Sequence, residues 1–428
     1  MSKQRELLIV TGLFLAAMLL AFAFWSALPG EYGENQSTDY DHSYEPVARA
    51  IAAGQGITIN GELATRYPPG FSILLAGVFR LSDVVGMADE AMLTAFRLLC
   101  VGLAVVLIYA LARLVWSPRL ALLPALAWMT YPFFLWLTKQ PNSEVAFIPV
   151  LYASFFVFWR AILRGGADWR VWVLYLAAGV LAGAAMLIRP AALGLSLAMA
   201  LAVLLCATRT TPVLARLGYG ALIVFGSALA VLPWEATVYA RTGQIIPLSN
   251  GGAATLHDGL TFLAVPKEYR REIAIPEDVA ELMWSIHERR QETGTTSGAL
   301  SVMTEEARRA PVAFIKLMLI KLARSWYGID SRVLEMPTLL LQALYLSFSV
   351  WGSVYAWQQG GMLRRMTAGN WLIALYFWAM TFLVIPLLRY MVPVMGLLML
   401  ALPGVYLSLA AWWRGRTAPR PRQVSSNY

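Results

Sequence analysis

The sequence predicts an all-α, polytopic integral membrane protein. Three observations carry that prediction. Of the 428 residues, 59% are hydrophobic and only 14% are charged, and apolar runs of membrane-spanning length recur about ten times. The mean hydropathy is +0.60. An average soluble domain carries about 25% charged residues, and no soluble core of this size needs so much apolar surface.

A spanning helix needs ~17–25 mostly apolar residues. Such runs lie near 7–28, 95–115, 119–137, 145–162, 172–188, 191–207, 218–235, 337–357, 371–388 and 390–412. The first follows Lys3 and Arg5 and exceeds the ~7–15 apolar residues of a cleaved leader, so it reads as a retained span. Orientation follows from Lys and Arg in short loops. Lys3 and Arg5, then Arg113 and Arg119, Arg160, Arg164 and Arg170, Arg209 and Arg216, Arg364 and Arg365, and the tail arginines from Arg414 onward all fall on one side. That side is the cytoplasm, so both termini are expected there.

The chain divides into 1–235, 236–336 and 337–428. The first part carries an external loop at 29–94. In it, a short helix-like stretch from Tyr44 to Ala53 stops at Gly54 and Gly56, and Pro68-Pro69-Gly70 breaks the chain before an apolar stretch at 71–81. That stretch is too short to span and is expected in the membrane interface. The middle part is a long external segment. Residues 277–293 are expected to be helical, opened by Pro276 and closed by Gly294. Residues 311–327 are apolar but carry Lys316, Lys321 and Arg324, too many cations for a span, so they are expected to lie flat on the membrane.

The net charge of +9 is spread over short loops and the tail. It is topology information and not a nucleic-acid footprint. Cys100 and Cys206 both sit inside apolar runs, where a small hydrophobe packs, so neither a disulfide framework nor a cysteine metal cluster is expected. Asn35-Gln-Ser37 has the form of a glycosylation sequon, a pattern common by chance.

The ionisable groups that touch the apolar runs gather at their outer ends. Arg66, Arg97, Lys139, Arg189, Arg241 and Arg389 break the positive-inside pattern there. Each faces a desolvation cost unless it meets an anion. A lipid-linked phosphate at headgroup depth is such an anion, and arginine suits it because its fork donates two parallel hydrogen bonds. Ordinary snorkelling explains any one of these cations; the set points to phosphate. Three acids share that face: Asp39 and Asp41 in the first loop, and Glu144 at the start of the fourth span. A positioned carboxylate can take the proton of an attacking hydroxyl, and a nearby cation can stabilise the departing phosphate. His42, beside Asp41, could position an acceptor or bind a metal.

These residues also form a pattern. Asp39-x-Asp41-x-x-Tyr44-x-x-x-Ala48-Arg49, Gly54-Gln-Gly56 and Tyr67-Pro-Pro-Gly-Phe71 resemble the first external loop of GT-C-type glycosyltransferases, in particular the bacterial membrane enzymes related to protein O-mannosyltransferases and to the aminoarabinose transferase of lipid A. Ser143-Glu144, Arg189-Pro190, Leu232-Pro-Trp234 with Gly243 and Gly251-Gly252, and Arg389-Tyr390-x-x-Pro393 are similar to later landmarks in the same order. The resemblance implies a GT-C-like fold, a polyprenyl-phosphate sugar donor and inverting transfer to a hydroxyl of an envelope lipid, glycan or protein. It implies a base at Asp41 or Asp39, with Glu144 as the second acid. Arg66, Arg189, Arg389 and Lys139 would face the donor phosphate, with Tyr44, His42, Tyr67 and Tyr390 lining the substrates. A divalent metal is possible. The two aspartates here are separated by a tyrosine where some relatives carry adjacent acids, so the choice between them stays open. The chain is shorter than many relatives and lacks their folded C-terminal soluble domain, which leaves acceptor recognition to 236–336.

The resemblance places the protein in the inner (plasma) membrane with its site facing the periplasm or outside. The rival class is a flippase or transporter of lipid-linked sugar, or an O-antigen polymerase or ligase. Secondary transporters put ionisable groups near the bilayer midplane. The centres of the spans carry no Asp, Glu, Lys, Arg or His, which disfavours ion-coupled transport.

Overall fold

The computed structural model describes residues 3–28, 39–166, 168–208, 211–272, 275–329 and 331–417. The Asn35-Gln-Ser37 sequon, Arg209 and the last tail arginines lie outside them. Helices dominate: α1 (Lys3–Ala27), α2 (Glu45–Ala52), α3 (Gly70–Val85), α4 (Asp89–Arg113), α5 (Pro118–Met129), α6 (Pro132–Lys139), α7 (Glu144–Arg164), α8 (Trp169–Ile188), α9 (Leu195–Cys206) and α10 (Val213–Thr242) form the first part. The middle part holds α11 (Gly252–Thr261), α12 (Glu277–Glu288), α13 (Thr296–Arg309) and α14 (Pro311–Arg324), and α15 (Arg332–Gln359), α16 (Gly361–Leu383), α17 (Val392–Met399) and α18 (Leu402–Thr417) follow it. The sole sheet among the described residues is a hairpin, β1 (Thr58–Ile59) against β2 (Glu62–Leu63), antiparallel with Ile59 opposite Glu62.

Among the described residues eight helices are long and apolar enough to cross a membrane, nine when α5 and α6, bent by 52°, count as one. The bend falls where Pro132 interrupts the run. Pro190–Cys206 is a shorter apolar helix at the remaining expected position. Leu7, Leu19, Leu214, Leu232 and Leu340 are exposed along these helices, as lipid-facing side chains are.

Lipid removes the hydrophobic drive between spanning helices, so close backbone approach and van der Waals contact hold them instead. α8 shows how. Gly179-x-x-x-Gly183 faces α10, where a Cβ on Gly183 would lie 2.5 Å from the Ser227 carbonyl oxygen and one on Gly226 2.5 Å from that of Leu176. Trp128, Trp159, Tyr131 and Tyr152 fill the wider gaps. Cys100 and Cys206 are buried and unpaired, as their apolar neighbours imply.

Two expected elements differ in detail. The stretch at 71–81 is helical but runs on to Val85, and it buries Phe71, Leu75 and Phe79 against α2, α4 and α8. A Cβ on Gly70 would lie 2.7 Å from the Leu187 carbonyl oxygen, so α3 starts against the end of α8. The stretch at 311–327 forms α14, but two of its three cations turn inward. Lys321 is 1% exposed with its Nζ 5.9 Å from the Phe382 ring centroid, while Arg324 pairs with Glu335 and lies over Phe262. Lys316 alone pairs in the open, with Asp278. A second, small apolar core of Leu260, Val279, Met283, Ile286, Val302 and Leu317 knits α11 to α14.

Candidate active site

Prolines end two spans early, and the freed turns carry the cations. α8 stops at Ile188, ahead of Pro190, and leaves Arg189 extended at φ −146°. α16 stops at Leu383, before Pro386, and a single 3₁₀ turn holds Arg389 and Tyr390. Glu144 opens α7 and is 1% exposed. Its Oε2 lies 2.6 Å from Arg189 Nη1, which also donates to Ser143 Oγ at 2.9 Å. The other Glu144 oxygen is buried without a hydrogen-bond partner.

Tyr390 stands between the two arginines. The Arg189 guanidinium is 4.9 Å from its ring centroid and the Arg389 guanidinium 5.0 Å, and Arg389 Nη2 donates to the Tyr390 hydroxyl at 3.0 Å. The Tyr390 oxygen first, then the Glu144 and Asp39 carboxylates, hold Arg389 above the usual guanidinium range despite the opposing cost of burial. Arg389 Nε has no partner. The ring thus keeps two like charges side by side through cation–π contact.

The first loop closes over this group. Asp39 precedes a π-helical turn, Tyr40–Tyr44, that runs into α2. The Tyr67 hydroxyl donates to Asp39 Oδ1 at 2.7 Å. Burial, and after it the Asp39 hydrogen bond, push the Tyr67 hydroxyl up to about 12. Tyr67 stacks on Tyr44 at 4.9 Å, and Tyr44 meets Phe71 edge-on. The buried Tyr44 hydroxyl hydrogen-bonds Ser143 close to Arg189 and Glu144, and burial raises it well above the phenol range. A continuous path therefore runs from Asp39 through Tyr67, Tyr44 and Ser143 to Arg189, Glu144, Tyr390 and Arg389.

Beyond the Tyr44–Tyr67 wall lies an open cleft of about 360 Å³. His42, Asn60, Glu62, Arg66 and Asn250 supply its polar lining, and Ile57, Ile59 and Leu63 its apolar part. Arg66 is exposed there, 5.6 Å from the Tyr67 ring centroid. Asp41 and His42 are exposed on the π-turn. Lys139 keeps different company: it is buried at the end of α6, where its carbonyl accepts from Arg97, whose guanidinium rests on Trp25.

The structure thus brings together Asp39, Glu144, Arg189, Arg389, Tyr44, Tyr67 and Tyr390. It sets Arg66 and His42 across the tyrosine wall and Lys139 beside Arg97. Sequence reasoning quoted Ser143 as a landmark without seeing that its hydroxyl joins the loop to the arginine. The donor set among the described residues does not fit a divalent cation. Among the described residues no three of His, Cys, Asp and Glu stand close enough to hold one, and Glu144 already meets Arg189.

Known proteins share this fold in outline. The chain aligns with AglB, the oligosaccharyltransferase of the archaeon Archaeoglobus fulgidus, solved in complex with an inhibitory peptide and a dolichol-phosphate. The match has a TM-score of 0.54 at 14% identity and covers 98% of this chain and 53% of that one. A second structure of the Archaeoglobus fulgidus enzyme, tethered to an acceptor peptide, aligns with a TM-score of 0.56 at 13% identity over 96% of this chain and 51% of that one. The fold is that of the GT-C glycosyltransferases. The GT-C resemblance read from the loop motifs also stands in sequence: residues 66–234 match the family described as dolichyl-phosphate-mannose-protein mannosyltransferase. ArnT from Cupriavidus metallidurans, solved bound to undecaprenyl phosphate, aligns with a TM-score of 0.43 at 15% identity over 98% of this chain and 82% of that one. No curated protein sequence matches the chain. The chain spans about half the length of the two oligosaccharyltransferase chains.

Proposed function

We propose that this protein is a membrane glycosyltransferase that moves a sugar from a polyprenyl-phosphate donor to a hydroxyl of an envelope lipid, glycan or protein at the outer face of the membrane. One observation carries the reading: the Asp39 and Glu144 carboxylates converge on Arg189 and Arg389 through Tyr67, Tyr44, Ser143 and Tyr390. The GT-C fold and the mannosyltransferase pattern at 66–234 support it, as does the dolichol-phosphate bound by AglB.

Arg189 and Arg389, held by Tyr390, take the donor phosphate. The acceptor enters the cleft on the other side of the tyrosine wall, lined by His42 and Arg66. Its hydroxyl oxygen attacks the anomeric carbon while its proton passes to Asp39, which Tyr67 orients. The bond from that carbon to the phosphate oxygen breaks, and the electron pair leaves with polyprenyl phosphate, whose charge the two guanidiniums meet. A single displacement inverts the anomeric centre. Glu144 fixes Arg189, and no step requires a metal. Asp39 is favoured over Asp41 as the base because Asp39 contacts Tyr67 and acts on Arg389.

The test is mass spectrometry of envelope glycans from cells carrying Asp39→Asn, Asp41→Asn or Tyr67→Phe, alongside polyprenyl-phosphate binding by the purified proteins. A positioned base is worth ~10²–10⁴ in rate, so Asp39→Asn should lose product on that scale while still binding lipid phosphate. Tyr67→Phe should lose less. Undiminished product from Asp39→Asn would remove the base assignment, and undiminished product from both aspartate variants would favour a flippase.

A further inference from the structure

The Tyr67–Asp39 pair and the Arg389 turn lie on chain segments more than 300 residues apart, and one short helix touches both. At its start, the Asn250 backbone N–H donates to the Thr65 carbonyl at 2.9 Å and the Asn250 side-chain amide donates to Thr65 Oγ1 at 2.9 Å. Gly251, which caps α11, packs so closely that a Cβ there would lie 2.9 Å from the Arg66 carbonyl oxygen. Residues 65–66 lead directly into Tyr67, the partner of Asp39. Farther along α11, a Cβ on Gly259 would fall inside contact distance of the Val384 carbonyl oxygen and 2.5 Å from its carbon. Val384 opens the turn that delivers Arg389. The same turn is held from α14's end, where the Leu388 N–H donates to the Gly328 carbonyl at 2.8 Å.

The approach of α11 is itself fixed. Leu248 holds a left-handed φ of 58°, uncommon for a branched side chain. Its N–H donates to Glu235 Oε1 at 2.7 Å, and its carbonyl accepts from Trp234 Nε1 at 2.8 Å. Both partners belong to the last turns of α10. The backbone conformation is thus held from the membrane-spanning bundle, and α11 leaves it in one direction.

We propose that α11 is a positioning element: a strut whose two glycine contacts, Gly251 and Gly259, set the spacing between the Tyr67–Asp39 pair and the Arg389 turn. The inference rests on the functional reading above for what that spacing serves, but its geometry can be tested separately. Backbone-to-backbone contact leaves no side chain to yield, so an added methyl must move one partner. Moving Val384 shifts Arg389; moving Arg66 shifts Tyr67. The two substitutions should therefore produce different defects.

The experiment compares wild type, Gly251→Ala, Gly259→Ala and Gly252→Ala in nanodiscs. A Cβ on Gly252 meets nothing within 4 Å, so Gly252→Ala is the control in the same helix. Undecaprenyl phosphate binding is titrated by native mass spectrometry, and amide hydrogen exchange is followed at 62–67 and 384–391. Gly259→Ala should weaken undecaprenyl phosphate binding about tenfold and speed exchange at 384–391, with exchange at 62–67 unchanged. Gly251→Ala should keep binding within about twofold and speed exchange at 62–67. Gly252→Ala should match wild type in all respects. The proposal is overturned if Gly259→Ala leaves exchange at 384–391 at the wild-type rate, or if Gly251→Ala and Gly259→Ala share one defect. If wild type fails to bind undecaprenyl phosphate, the phosphate reading falls, and the two exchange windows still decide the strut.

Discussion

Separating the Glu144–Arg189 pair tests both the stability and the chemistry of the site. The two side chains approach to 2.6 Å and are 1% and 8% exposed. Removing one partner of a buried pair costs about 3–5 kcal/mol because the other charge is stranded, whereas replacing both with uncharged groups of similar size is often neutral. One Glu144 oxygen already lacks a partner, which places this pair toward the lower end. Glu144→Gln and Arg189→Met should therefore each destabilise by ~3 kcal/mol, and the double variant by ~1 kcal/mol or less. The buried thiols of Cys100 and Cys206 provide the assay: a thiol-reactive dye labels them as the protein unfolds in detergent on heating. The same variants separate structure from binding. Arg189→Met removes a charge-assisted hydrogen bond to phosphate, worth ~1.5–3 kcal/mol, and should weaken polyprenyl-phosphate binding ~10–100-fold. Glu144→Gln frees Arg189 from its competing anion and should bind at least as tightly as wild type. Single-variant losses that simply add in the double variant would refute the coupling. Wild-type affinity in Arg189→Met would refute its phosphate role.

Two further predictions follow from side chains outside that pair. Burial lowers Lys321 to about 7, well below the ~10.4 of an unfolded lysine. Between those values the unfolded chain binds more protons, so Lys321 makes stability rise with pH from about 7 to about 10.4; below 7 its penalty is full, and above 10.4 it is gone. At ~1.4 kcal/mol per unit the whole penalty is at most ~5 kcal/mol. Lys321→Met should raise the melting temperature at pH 7 and flatten the rise toward pH 10, and an unchanged slope would place the titration elsewhere. Gly179→Leu should force α8 and α10 apart, since even a methyl at Gly179 meets the Ile223 carbonyl; overpacking costs ~1–3 kcal/mol. The dye-monitored melt should drop by several degrees, while Gly77→Ala, with nothing within 4 Å of its added methyl, should leave it unmoved.

The membrane class, the approximate places of the spans and the end of the bundle where charge collects are legible in the residues alone. Hydrophobic run length is a local property, and lipid leaves a backbone few alternatives to the helix. The span boundaries put Arg189 and Arg389 at the ends of apolar runs, and both lie at turns in the structure. Gly179-x-x-x-Gly183 has the form of a helix-packing motif in the sequence alone. Which charges meet depends on how the helices pack. That packing set Arg189 against Glu144 and Tyr390, Asp39 against Tyr67, and Lys139 beside Arg97. It also turned Lys321 and Arg324 of α14 inward, where the sequence showed only that three cations are too many for a span. The strut from Gly251 to Gly259 was invisible for the same reason: a glycine in a helix costs stability on local grounds, and its use depends on which distant backbone comes to lie against it.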